Sequence, residues 1–248
     1  MEKINIRATS LGAYVSCPYK SHLDKTKNWG ENNALAIWTI VHLARQSPLL
    51  AKMFFERLIE QGKINAKEKI MTHKMIDIIW DIKKEIPDKY EISFEANLEK
   101  KITFNDWEIE CIFTGHPDEI WINKETWQIE KIVDTKTSGA VAMWKDFKML
   151  DYARQHIYYP YLLSNQAKLG ETVEFIYRVI PKSFFNASDI TNLKIVVNVE
   201  EAIKETEKDV LNYITSLLTN KYEAKKNVQC VWCDYKHECP LKNILNNL

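Results

Sequence analysis

No run of apolar residues in this chain approaches the roughly 18 that a membrane-spanning helix needs. The N-terminal MEKINIRATS lacks the apolar stretch of a secretion signal. Both absences predict a cytoplasmic protein with no membrane partner. Glycine is scarce, six in 248 residues, and no Gly/Ser-rich linker, internal repeat or low-complexity segment divides the chain. One domain with elaborations is therefore expected, long enough to bury a proper core. The phosphate-cradling GxxxxGK[ST] loop is missing, which excludes a P-loop ATPase or helicase. An excess of one charge is missing too, since 34 basic residues meet 34 acidic ones. That excludes a protein that coats nucleic acid indiscriminately, because phosphate neutralisation by Lys and Arg dominates such binding. Cysteine is sparse and odd in number: Cys17, Cys111, Cys230, Cys233 and Cys239. In a cytosolic chain of this size such a set speaks for metal binding over a disulfide scaffold.

What is present is patterned. The first ninety residues read as helical. Leu35, Trp38, Val41, Leu43, Phe54, Phe55, Leu58 and Ile59 recur at helical spacing with a break at Pro48, and a second helix runs from about Ala66 to Ile86. The period then changes. Residues 91–104, 107–123 and 126–135 alternate as strands joined by turns at Asn105-Asp106 and Asn123-Lys124-Glu125, an expected antiparallel meander of three. A helix follows over residues 151–168, strands over 172–179 and 193–199, and an amphipathic helix over 200–218.

Charged residues sit where this pattern delivers them to one place. Asp118 falls late in the second strand, and Asp134-Thr135-Lys136 ends the third. Adjacent antiparallel strands bring Asp118 and Asp134 together, and the strand period of two puts Asp134 and Lys136 on one face with Thr135 pointing away. Two carboxylates suit Mg²⁺ or Mn²⁺, which take hard oxygen ligands. Each residue alone has an ordinary explanation as a solvated strand end; the otherwise apolar strand IEKIVDTK and the preceding GHPDEIW give the set its weight.

Pro117-Asp118, fifteen intervening residues and then Asp134-Thr135-Lys136 resemble the PD-(D/E)XK nuclease signature. Further residues resemble its RecB-like branch: His42 in TIVHLA, and Gln155 and Tyr159 in QHIYY, which share a helical face at i and i+4. The resemblance implies an α/β fold, a mixed central sheet flanked by helices with an N-terminal helical insertion. It implies that His42 joins Asp118 and Asp134 around the metal, that Lys136 assists the attacking water, and that Gln155 and Tyr159 contact DNA or orient Lys136. It further implies an exonuclease on single-stranded DNA ends serving recombination, repair or CRISPR spacer processing, beside a helicase or integrase partner. A non-catalytic DNA-binding or partner-docking subunit with the same fold is the alternative.

Cys230, Cys233 and Cys239 crowd ten residues, with Cys17 in SCPYK a distant fourth. One cysteine before the core and three after it resembles the iron–sulfur members of that branch, the CRISPR-associated RecB-like exonucleases and AddB-type nuclease domains. Four thiolates suit a 4Fe–4S cluster. Zn²⁺ on Cys230, Cys233, His237 and Cys239 is the competing reading. Cys111, alternating with apolar neighbours in WEIECIF, reads as a buried small hydrophobe. The expected organisation is an N-terminal segment with the first cluster cysteine (1–30), a helical region (31–90), a catalytic core (91–200) and a C-terminal helix with the cysteine-rich extension (201–248). Trp38, Trp80, Trp107 and Trp121 read as core. Trp144 and Tyr152, among Lys145, Lys148 and Arg154, form the local candidate for DNA contact.

Overall fold

The computed structural model describes residues 2–26, 33–63, 66–84, 86–104, 107–139, 141–165, 168–181 and 186–242. These residues form two sheets flanked by helices. The smaller sheet has the order β1-β4-β3, from β1 (Glu2–Arg7), β3 (Leu98–Phe104) and β4 (Ile109–Gly115). The larger has the order β2-β5-β6-β7-β8, from β2 (Tyr90–Phe94), β5 (Glu119–Asn123), β6 (Ile129–Ser138), β7 (Leu169–Pro181) and β8 (Thr191–Asn198). Pairing is antiparallel except for β1 with β4 and β6 with β7. The fold is thus the mixed α/β arrangement expected from the sequence.

The three-strand meander is not what forms. Its first two runs each split in half, and the halves go to different sheets. The first run breaks after Phe94, where Glu95 takes a left-handed φ of 49°; the second breaks at His116-Pro117, where proline cannot donate to a ladder. The two breaks lie side by side, because Glu95 N donates to the Asp118 carbonyl at 3.2 Å. Alternation continues through both breaks because each half is itself a half-buried strand, so the period alone does not show the handover.

The N-terminus also departs from the helical expectation. Residues 2–7 form β1, whose Ile6 is buried while Lys3, Asn5 and Arg7 are exposed. Parallel strands need a long crossover; between β6 and β7 it is built from α6 (Val141–Lys145), α7 (Leu150–Ala153) and α8 (Gln155–Leu163). The single helix expected over 151–168 is therefore two, broken at Arg154 with φ 43°. The Arg154 guanidinium compensates by pairing with Asp209 at 2.8 Å and Glu205 at 3.0 Å.

Both partners lie on α9 (Val199–Thr219), whose first turn is capped by Asn198 accepting from Glu201 N at 3.0 Å. Helices α8, α9 and α1 (Ala8–Ser16) pack on the sheets around Phe113, Tyr158, Phe175 and Tyr177, all fully buried. A second apolar cluster joins α3 (Asn33–Gln46), α4 (Pro48–Glu60) and α5 (Ala66–Lys84) through Ile40, Val41, Phe55 and Ile76, and reaches Ile180 of β7. Ser47 ends α3 and caps α4, accepting from Leu50 N with Pro48 in the first turn, which is why one apolar stripe becomes two helices. This cluster fixes α3, and α3 carries His42 and Arg45. Among the described residues no helix is long and apolar enough to cross a membrane.

Candidate active site

A cavity of about 390 Å³ opens where the two sheets diverge. It is lined from one sheet by Arg7, Thr114 and Gly115, from the other by Asp134, Thr135 and Lys136, and from α3 by His42. Glu95, His116 and Asp118 enter from the two strand breaks, and Tyr159 from α8. Asp118 sits in the bend before β5, not inside a strand as the sequence suggested. The approach of the two aspartates survives, because β5 pairs with β6 with Glu119 opposite Val133, one step short of Asp118 and Asp134. Asp118 Oδ2 accepts the Thr135 backbone N–H, locking that level of the ladder.

Every carboxylate here is held by cations. His42 Nδ1 lies 2.8 Å from Glu95 Oε1 and 3.0 Å from Asp118 Oδ1. Burial opposes a charge on His42, but hydrogen bonds with Asp118 and Glu95 prevail and raise its pKa to about 9. Burial likewise opposes ionised Asp118, yet the His42 hydrogen bond and the Arg45 charge hold its pKa down at about 2. Asp134 behaves oppositely. Burial pushes its pKa up, Lys136 opposes that, and the neighbouring Asp118 charge adds to the rise. His42, Glu95 and Asp118 offer ligand atoms all within 4.8 Å of one another. Two carboxylates and an imidazole fit a hard divalent cation, which takes the imidazole in its neutral form.

Lys136 Nζ meets Asp134 Oδ2 at 2.6 Å. With its amide turned to satisfy both neighbours, Gln155 accepts from Lys136 Nζ at 3.0 Å and donates to the Ala153 carbonyl. Tyr159 Oη lies 3.3 Å from both Asp134 Oδ1 and the His116 carbonyl. His42 and Asp118 thus form one contact pair, and Asp134, Lys136, Gln155 and Tyr159 form a second group; all but Gln155 line the cavity. Thr135 points the other way, its hydroxyl accepting from Arg45 at 2.7 Å.

Two residues of this network were not singled out from the sequence. Arg45, 3% exposed, bridges Asp118 at 3.1 Å to Glu119 behind it. Glu119 is also taken by Arg178 and by Trp121 Nε1, both at 2.6 Å. An arginine three residues after His42 on an apolar helix was the available signal, since i and i+3 share a face. Glu95 had no comparable signal, because its importance comes from the strand break it creates.

Gly115 sets how closely α8 approaches. A Cβ there would stand 2.7 Å from Leu162 Cδ1 and 2.9 Å from Tyr159 Cε1. Gly115→Ala is expected to cost about 1–3 kcal/mol and to displace Tyr159 from Asp134. Thermal denaturation together with activity checks this; a variant as stable and active as wild type would show that α8 yields without consequence.

Four of the five cysteines also share a pocket. Cys17, after α1, lines one pocket with Cys230, Cys233 and Cys239. Lys225 N donates to Cys17 Sγ at 3.5 Å and Asn227 N to Cys230 Sγ at 3.4 Å. Asn227 Nδ2 donates to the Ser16 carbonyl at 2.8 Å, so the two ends of the chain are joined beside the sulfurs. His237 is exposed and is not part of the pocket lining. Cys111 is fully buried, as its alternation implied, and burial pushes its pKa up to about 11.

The basic patch expected to contact DNA is mostly spent on structure. Trp144 is 3% exposed and packs against Tyr177, while Arg154 is committed to Asp209 and Glu205. Lys145 and Lys148 remain exposed, and the Tyr152 side chain lies outside the described residues. Of the tryptophans read as core, Trp107 is 41% exposed, Trp80 and Trp121 are half-buried, and the Trp38 side chain lies outside the described residues. Trp107 ends up outside because the turn that carries it precedes β4 rather than lying within a long strand.

Two sheets flanked by helices, with carboxylates, an imidazole and a lysine gathered in one cavity, make a mixed α/β nuclease fold with a candidate metal site. The chain belongs to the PD-(D/E)XK nuclease superfamily, which residues 8–240 match. Nucleases of this superfamily use divalent metals, and the His42–Glu95–Asp118 group suits one. No curated protein matches the sequence. Among solved structures, the chain is similar to a candidate exonuclease from Eubacterium rectale, with TM-score 0.53, 14% identity, and coverage of 93% of this chain and 86% of that one. It also matches the alkaline exonuclease LHK-Exo from Laribacter hongkongensis, with TM-score 0.40, 12% identity, and coverage of 87% and 89%.

Proposed function

We propose that this protein hydrolyses DNA phosphodiesters as an exonuclease of the RecB-like branch, acting on single-stranded ends in recombination, repair or CRISPR spacer processing. The observation that carries the reading is the gathering of His42, Asp118, Asp134, Lys136 and Tyr159 in one cavity, with Gln155 bonded to Lys136. His42, Asp118 and Asp134 would hold Mg²⁺ or Mn²⁺, with Glu95 completing the donor set. A bound ion supplies Lewis acidity toward the phosphate and lowers the pKa of water. Lys136 positions the attacking water and meets negative charge as it develops. Gln155 and Tyr159 keep the lysine and Asp134 aimed, since each side chain bonds one of them directly. The exonuclease name of the Eubacterium rectale neighbour favours action from an end.

We further propose that Cys17, Cys230, Cys233 and Cys239 hold a 4Fe–4S cluster. Support comes from Cys17 joining the pocket while His237 stays out of it, and from backbone N–H donors to two sulfurs, a common way of tuning cluster thiolates.

Anaerobically purified protein, given end-labelled single-stranded DNA and Mn²⁺, is expected to release labelled nucleotides from one end. Intact DNA in both Mg²⁺ and Mn²⁺, with the cluster in place, would replace catalysis by the DNA-binding or partner-docking role. The same preparation is expected to absorb broadly at roughly 400 nm through iron-bound thiolates, and Cys17→Ser to bleach it. A colourless protein holding one equivalent of zinc would overturn the cluster.

A further inference from the structure

The cations around the cavity are not equivalent. Lys136 is committed to Asp134 at 2.6 Å, and His42 lies between Glu95 and Asp118. Arg7 lines the same cavity and is exposed. It stands at the N-cap of α1, where β1 ends. Among the described residues no carboxylate pairs with it. Its backbone is fixed all the same, because β1 runs parallel to β4 with Arg7 opposite Thr114. A guanidinium on a rigid strand end thus lines a cavity whose carboxylates are already paired with other cations.

Glu95, Asp118 and Asp134 line that cavity. A divalent ion offsets part of this charge, but a polyanionic strand still has to pass the remaining carboxylates. A cation at the rim makes that approach favourable, and the planar fork of arginine grips a phosphate through two hydrogen bonds. Lys136 and Arg7 belong to different sheets and line the same cavity.

We propose that Arg7 binds the phosphate flanking the scissile one, so that the cavity selects a nucleic-acid strand with successive phosphates over an isolated phosphodiester. This rests on the nuclease reading above and adds to it the group that recognises the strand.

The test compares wild type, Arg7→Ala and Arg7→Lys on an end-labelled oligonucleotide and on the p-nitrophenyl ester of thymidine 5′-monophosphate, which has a single phosphate. Arg7→Ala is expected to raise KM for the oligonucleotide by about 10- to 100-fold, the worth of a charge-assisted contact. The ester is expected to lose no more than about fivefold in kcat/KM, the size of a surface-charge effect. The salt dependence of strand binding is expected to shallow by about 0.7 in log–log slope, one phosphate of a single strand. Arg7→Lys is expected to restore the slope and only part of the KM. Equal losses on both substrates, or an unchanged slope in a variant that melts like wild type, would overturn the proposal. If wild type cleaves neither substrate, the nuclease reading fails separately. Anisotropy of a labelled strand in Ca²⁺ then decides Arg7 by the same slope, with no change overturning it.

Discussion

Asp134→Ala is expected to lower degradation of end-labelled single-stranded DNA by about 1,000-fold or more, the scale of several kcal/mol of metal-borne transition-state stabilisation. The same substitution is expected to leave the melting temperature within about 2 °C of wild type. Both halves follow from one environment. Asp134 is 3% exposed and sits beside Asp118, so burial and like charge make its ionised form costly, and Lys136 is the main offset, with Tyr159 Oη at its other oxygen. Removing it relieves that cost while leaving Lys136, which is partly exposed, able to find water. A carboxylate tolerated at such expense is one retained for its chemistry. Retention of more than a tenth of the wild-type rate would remove Asp134 from the metal shell; a large fall in melting temperature would mark it as structural.

Arg45→Met is expected to do the reverse, costing about 3–5 kcal/mol of stability, because it strands charges that are already desolvated. Arg45 reaches Asp118, Glu119 and Thr135 at once, and all four residues are buried. For a chain of this length the loss corresponds to a fall of roughly 10 °C in melting temperature. Glu119 would keep Arg178 and Trp121, whereas Asp118 would keep His42 and the Thr135 N–H, so the damage spreads to the cavity. Arg45→Met combined with Glu119→Met is expected to recover part of the stability, since an apolar pair strands fewer charges than a single survivor. If the two substitutions add without interaction, the bridge is not what holds α3 to the sheet.

Much of the site was legible because its members are tied to local periods. The alternation in IEKIVDTK placed Asp134 and Lys136 on one face and Thr135 on the other, and the ladder with β5 brought Asp118 alongside. Gln155 and Tyr159 faced one way because i and i+4 do so on any helix. The residues missed are those whose role depends on contacts between elements. Glu95 matters because a strand breaks there, and Arg45 because α3 lies across the ends of β5 and β6.

The sequence by itself determined the fold class, the superfamily signature, and the helix and strand periods that carry His42, Asp118, Asp134 and Lys136. It also determined that three thiols crowd the C-terminal extension and that Cys111 is apolar in character. Only the tertiary structure decided that the expected meander divides between two sheets, and that the cavity opens at the division. It decided that Trp144 packs against Tyr177 and Arg154 pairs with α9, that Cys17 shares a pocket with the C-terminal thiols, and that no carboxylate among the described residues pairs with Arg7. The physical reason is one of range. Hydrophobic period and turn chemistry act over a few residues and are written in order along the chain. The pairing of strand ends, the burial of a charge and the partner it finds are settled by segments far apart in sequence, which meet only once the core has formed.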